Sequence, residues 1–161
     1  MIDLPKVLVF TITYAGKDYV YDEFCKYAKD LNYPNMRHIW IDNSDDNGKY
    51  HKKLLTDGHE AYHIKRGNNS REALTRSQEF ARKMALEEGY DYLMSIESDI
   101  LFPPNIIQIL MGRSKEVVGA LYMIGPPENR WPCVTVTKTD EKTGLVGSRL
   151  LTKEEFPEFQ R

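Results

Sequence analysis

The chain has 161 residues, of which 41% are hydrophobic and 29% charged, and its formal net charge at pH 7 is −2. This length suits one domain with a sizeable hydrophobic core that needs no disulfide staples. Basic and acidic residues are interspersed, which argues against a general attraction to nucleic acid or anionic membrane, so no nucleic-acid partner is expected.

The two cysteines, Cys25 and Cys133, lie far apart and form no CxxC pair. They read as free thiols in a reducing compartment rather than as a zinc knuckle or redox site. No apolar stretch approaches the ~20 residues of a membrane helix, and the first six residues lack a secretory leader pattern. The expectation is a cytoplasmic protein without a transmembrane segment.

In chain order, Val7–Thr13 is a β-rich apolar run and reads as a buried strand. Tyr21, Phe24, Cys25, Ala28 and Leu31 recur at helical spacing and predict a helix over 18–31. A second strand over 38–41 runs into the turn formers Asp42, Asn43, Ser44, Asp45, Asp46, Asn47 and Gly48. A short helix over 49–57, closed by Gly58, precedes a weaker strand over 61–64. The clearest helix spans 70–88, with Ala73, Leu74, Ser77, Phe80, Ala81, Met84 and Ala85 on one face. Asn69 and Glu72 form its capping box, and Gly89 its C-terminal cap.

A central strand over 91–96 leads into Glu97-Ser98-Asp99, and Pro103-Pro104 opens a helix that Gly112 stops. A fifth strand is expected over 117–124, and two more over 134–137 and 145–150. Strands alternating with helices imply an α/β fold with a mainly parallel sheet, in which ligands bind beyond the carboxyl ends of the strands. Both acidic strand exits, at Asp42 and at Glu97 to Asp99, fall there. Carboxylates at i and i+2 with a small residue between them suit a hard cation, Mg²⁺ or Mn²⁺, that keeps positions open for phosphate oxygens.

The segment from Ile39 through Asp42-Asn43-Ser44 to Asp46 resembles the second-strand exit of GT-A glycosyltransferases, particularly the family-two-like group. Tyr92 to Asp99, followed by Pro103-Pro104, resembles that family's DxD segment, with Glu97 in place of the first Asp. The preceding helix, from Asn69 to Glu88, resembles the family's helix that begins near the nucleotide and leads into that strand, and Val117, Val118, Gly119 and Ala120 are similar to the next strand, near the acceptor. The similarity covers about residues 6 to 125. It implies a single GT-A α/β/α sandwich over 1–161, with a nucleotide-sugar-binding core over 1–125 and an acceptor-side segment over 126–161.

The resemblance further implies a nucleotide-sugar donor, a UDP- or GDP-sugar, and an unknown hydroxyl acceptor, with Mn²⁺ or Mg²⁺ as cofactor. Asp42 and Asn43 would contact the base or ribose, with Thr11, Thr13 and Tyr14 lining the same pocket and Ser98 beside it. Arg71 or Arg76 would meet base or diphosphate, since a guanidinium fork suits phosphate. Asp99 would be the principal metal ligand, with Glu97 contacting metal, ribose or donor sugar. The catalytic base is unassigned; Glu128, Asp140 and Glu141 are the acids available on the acceptor side.

Two other functions find some support in the sequence. His59-Glu60-Ala61-Tyr62-His63 matches HExxH, the zinc hydrolase motif, which requires both histidines on one helix face. Gly58 and Gly67 bracket that segment, leaving little room for a helix. A transferase-like domain that binds a nucleotide or glycan without turnover is the other alternative.

Overall fold

The computed structural model describes residues 4–120, 122–124, 131–132, 135–139 and 146–150. The chain divides into two units, Met1–Ile109 and Leu110–Arg161.

The first unit is built on strands β1 (Val7–Thr13), β2 (Met36–Asp42), β3 (Ala61–His63) and β4 (Tyr92–Ser95). They form one sheet in the order β3-β2-β1-β4, with every pairing parallel. Parallel strands need crossovers, and helices supply them. A 3₁₀ turn (Ala15–Val20) and α1 (Tyr21–Lys29) follow β1, α2 (Lys49–Thr56) follows β2, and α3 (Ser70–Glu87) follows β3. Helix α4 (Ile106–Met111) comes after β4. The architecture is α/β with an all-parallel sheet flanked by helices, compatible with a Rossmann-like fold.

Six of the seven β1 residues are buried, as expected of a strand covered on both faces. Because side chains alternate along a strand, β1 and β2 present two distinct layers. Leu8, Phe10, Ile39 and Ile41 pack with Ala81 and Ala85 of α3, joined by Ile12, Tyr62, Phe80 and Met84. The opposite layer is aromatic: Trp40 meets Phe24 of α1 edge-on at 5.3 Å and Tyr21 at 6.0 Å, and Phe24 meets Phe102 at 5.8 Å. All five apolar positions expected in the first helix, from Tyr21 to Leu31, are buried.

Helix α3 begins where its capping signal places it. The Asn69 side chain accepts from the Glu72 N–H at 2.9 Å, and the Glu72 carboxylate accepts in return from the Asn68 N–H at 2.8 Å. Its buried stripe is Ala73, Ser77, Ala81 and Ala85, small residues that let the helix lie close to the sheet. Leu74, expected on that face, is 40% exposed, because one residue turns the helix by about 100° away from the i, i+4 stripe.

The amino-end edge of the sheet is closed by ion pairs. Arg37 at the start of β2 donates to Glu60 at 3.0 and 3.1 Å and to Glu88 at 2.5 Å, and the Lys6 N–H donates to Asp91 at 2.7 Å. The Glu60 carboxyl is held below its usual pKa by the Arg37 guanidinium.

The strand expected over 117–124 is reduced, among the described residues, to β5 (Met123–Ile124), which pairs antiparallel with β6 (Trp131–Pro132). Gly119 and the exposed flank of Glu116 and Val117 give that run little to bury. Strands β7 (Thr135–Thr139) and β8 (Val146–Leu150) pair antiparallel, close to the two expected strands. Among the described residues, no helix is long and apolar enough to cross a membrane.

Candidate functional site

The strand order reverses at β1: β2 and β3 extend to one side of it, and the chain then returns to place β4 on the other. In open α/β sheets the crevice beyond the carboxyl ends at such a switch point is where ligands bind. The acidic exits of β2 and β4 therefore flank the exit of β1, about 10 Å apart across two strand spacings.

The β1 exit is tied to both neighbours. On the β2 side, the Asn43 N–H donates to Thr13 O at 3.0 Å and the Ala15 N–H donates to Ser44 Oγ at 2.8 Å. On the β4 side, the Ile96 N–H donates to Phe10 O at 3.0 Å, and the Lys17 ammonium pairs with Asp99.

Asp42 is fully buried. Its Oδ1 accepts from the Ser44 N–H at 2.9 Å and from the Ser44 hydroxyl at 2.5 Å, while Oδ2 accepts from His63 Nδ1 at 2.9 Å. The carboxylate thus shapes the turn after β2 and orients His63. Both its oxygens are spent inside the protein, and this is where the burial of a charge finds its compensation. Asn43 and Ser44 are buried with it.

Thr11 and Thr13 do not reach the crevice. Thr11 is enclosed and shares a hydrogen bond with His38 Nε2 at 2.9 Å, and Thr13 lies 3.5 Å from the Tyr50 hydroxyl. Both occupy the layer under α1 and α2, as the period-two alternation along β1 requires. Tyr14, by contrast, is half-buried at the rim. The guanidinium of Arg66 lies 4.9 Å over the Tyr14 ring and donates to Asn43 Oδ1 at 3.2 Å and to Ser70 Oγ at 3.3 Å. Gly16 makes room for the ring, because a Cβ there would overlap it.

Arg66 is the arginine that this edge holds in place. Arg71 is exposed on the first turn of α3, and Arg76 is spent on Glu72 and on Lys65 O at 3.4 Å. Arg66 sits in the loop between β3 and α3, and its place directly after a strand exit is the sequence signal that could have singled it out.

Glu97-Ser98-Asp99 forms a turn closed by the Ile100 N–H donating to Glu97 O at 3.2 Å. Ser98 is buried, whereas Glu97 and Asp99 are exposed on either side of it. Burial works against the charge of Lys17, but the bond to Asp99 and the nearby Glu97 outweigh it and raise its pKa. An ammonium ion thus stands where a second cation would be drawn. Among the described residues, no group of three or more His, Cys, Asp or Glu side chains is gathered to hold a metal ion. With Lys17 displaced from Asp99, Glu97 and Asp99 would supply the one or two carboxylates through which Mg²⁺ and Mn²⁺ bind alongside phosphate.

The HExxH segment is strand rather than helix from Ala61 to His63. Its two histidines take different partners: His59 Nε2 lies 3.0 Å from the Tyr21 hydroxyl and 3.5 Å from Cys25 Sγ, and His63 is held by Asp42. The helical face that a zinc hydrolase needs is absent at this segment. Burial raises the Cys25 thiol pKa, which works against formation of a thiolate there. Glu128, Asp140 and Glu141 lie outside the described residues, as does Cys133.

The fold and site thus define an α/β protein whose parallel sheet carries polar and charged groups at its carboxyl edge, around a topological switch point. No protein-family model matches the chain, and no curated protein matches its sequence.

Proposed function

We propose that this chain is a GT-A-type glycosyltransferase domain that moves a sugar from a uridine or guanosine diphosphate donor to a hydroxyl acceptor. The observation that carries this reading is that one sheet edge holds an anchored cation, Arg66, after β3 and two exposed carboxylates, Glu97 and Asp99, after β4. A nucleoside diphosphate has a polar aromatic end and an anionic end, and the edge offers a counterpart to each.

In this reading Tyr14 supplies an aromatic surface beside the β2 exit, and Arg66 brings a fixed guanidinium fork to the phosphates. Lys17, once released from Asp99, adds a second positive charge. Glu97 and Asp99 would hold Mn²⁺ or Mg²⁺, which supplies neutralisation of the diphosphate as it departs. Asp42 keeps the β2 exit rigid, so the donor meets groups already in position.

Titration calorimetry with UDP and GDP, with and without Mn²⁺, tests the proposal. Metal-dependent binding that is lost in Asp99→Ala is the expected result, and release of free sugar from a UDP- or GDP-sugar in the same samples would distinguish turnover from binding alone. Failure of both nucleotides to bind under either condition would sink it.

A further inference from the structure

His63 closes β3 level with Asp42 on β2, at the carboxyl edge of the sheet. Three donors converge on the Asp42 carboxylate: the Ser44 N–H, the Ser44 hydroxyl and His63 Nδ1. A carboxylate can only accept in that arrangement, which puts a proton on Nδ1; the neutral imidazole then carries its lone pair on Nε2. The carboxylate is 0% exposed and the imidazole side chain 37% exposed, so the ring, rather than the acid, faces outward. Beside it lies the His51 ring, centroids 5.9 Å apart, whose Nδ1 is buried with no partner among the described residues.

We propose that His63 is the residue that selects the nucleobase, with Asp42 as the positioning residue that fixes its tautomer. This rests on the nucleotide-sugar reading above. A lone pair on Nε2 accepts an N–H and repels another lone pair. Uracil at N3 and guanine at N1 present an N–H, whereas cytosine at N3 and adenine at N1 present a lone pair. The site therefore takes uridine or guanosine diphosphates and rejects their cytidine and adenosine counterparts. A site built to hydrogen-bond one partner leaves that bond unmade with the wrong one, which is the stronger form of discrimination.

Replacing Asp42 by Asn sharpens the test. The two Ser44 donors keep the one remaining oxygen at the Oδ1 position, so the amide NH₂ faces His63. Nδ1 must then accept, the proton moves to Nε2, and the preference turns toward bases with a lone pair.

The experiment is calorimetric binding of UDP, CDP, GDP and ADP, with Mn²⁺, to the wild type and to His63→Ala, His63→Phe and Asp42→Asn, each checked for folding by circular dichroism. The wild type is expected to prefer UDP over CDP, or GDP over ADP. Both His63 variants should lower that ratio about tenfold, the worth of one hydrogen bond. Folded Asp42→Asn should reverse it, which a merely structural role would not do. A wild-type preference that survives in both His63 variants, or equal binding of all four by the wild type, overturns the role of His63 and leaves nucleotide binding standing. Binding of none of the four, with or without Mn²⁺, overturns the glycosyltransferase reading and this inference together.

Discussion

His38 makes the folded protein sensitive to mild acid. Its ring is stacked against Trp40 at 5.7 Å and bonded to the Thr11 hydroxyl, and burial, with a smaller contribution from His59, lowers its pKa from 6.5 to about 4. In the unfolded chain the imidazole takes up a proton near pH 6.5, while in the folded chain it stays neutral down to about pH 4. Below pH 6.5 the unfolded state therefore binds more protons, and stability falls as the pH drops toward 4. Linkage puts the loss at about 2 kcal/mol by pH 5 and about 3 kcal/mol in full. That is a sizeable share of the ~5–15 kcal/mol that holds an ordinary domain together. Urea unfolding between pH 7.5 and 5 reads this loss in a window above the range where carboxylates titrate. His38→Gln keeps a hydrogen-bonding group for Thr11 and removes the titration, so its stability should fall by about 2 kcal/mol less than the wild type over that interval. Burial lowers the His59 pKa as well, so a smaller residual slope with the same sign should remain. If wild type and variant lose equal stability, the half-buried His38 imidazole is not the cause and the reasoning fails.

Two further outcomes follow from the crevice and its supporting loop. Arg66→Ala removes the guanidinium held by Tyr14 and Asn43, and should weaken UDP and GDP binding by about tenfold while changing unfolding stability by less than about 1 kcal/mol. Calorimetry and urea titration of the same sample separate the two effects. Gly67 has φ +81° and a Cβ there would stand 2.6 Å from the Glu72 carboxyl carbon, so Gly67→Ala should cost about 1–2 kcal/mol of stability. The double variant Gly67→Ala/Glu72→Ala should be less unstable than the sum of the two single changes, because the clash is gone.

The fold was legible in the sequence where a local pattern decided the matter. The apolar run at β1, the stripe of α3 and its Asn69–Glu72 cap lie almost where periodicity and capping chemistry put them. The parallel sheet followed from the alternation of strands and helices. The site was legible only in outline, because position along the chain says which strand end a residue occupies but not which way its side chain turns. Thr11 and Thr13 share the phase of buried β1 positions, and the groups that meet them on that face, His38 of β2 and Tyr50 of α2, come from later in the chain. Asp42 reads as an exposed turn acid, yet the Ser44 hydroxyl and His63 draw it inward. His63 was hidden in a motif that belongs on a helix, and its partnership with Asp42 depends on the register of β3 against β2. Arg66 and Lys17 carry no sequence motif, and only the approach of Tyr14 and Asp99 marks them out.

The central claim is that a nucleoside diphosphate sits over the carboxyl edge of the sheet at the switch between β1 and β4. Backbone amide chemical shifts, followed by NMR as UDP or GDP is added with Mg²⁺, test it most directly. The account predicts that the largest changes fall in four loops, at residues 14–17, 43–44, 63–67 and 97–100, while the opposite edge around Lys6, Arg37 and Asp91 stays still. Changes centred on that opposite edge, or none at saturating nucleotide, would contradict it.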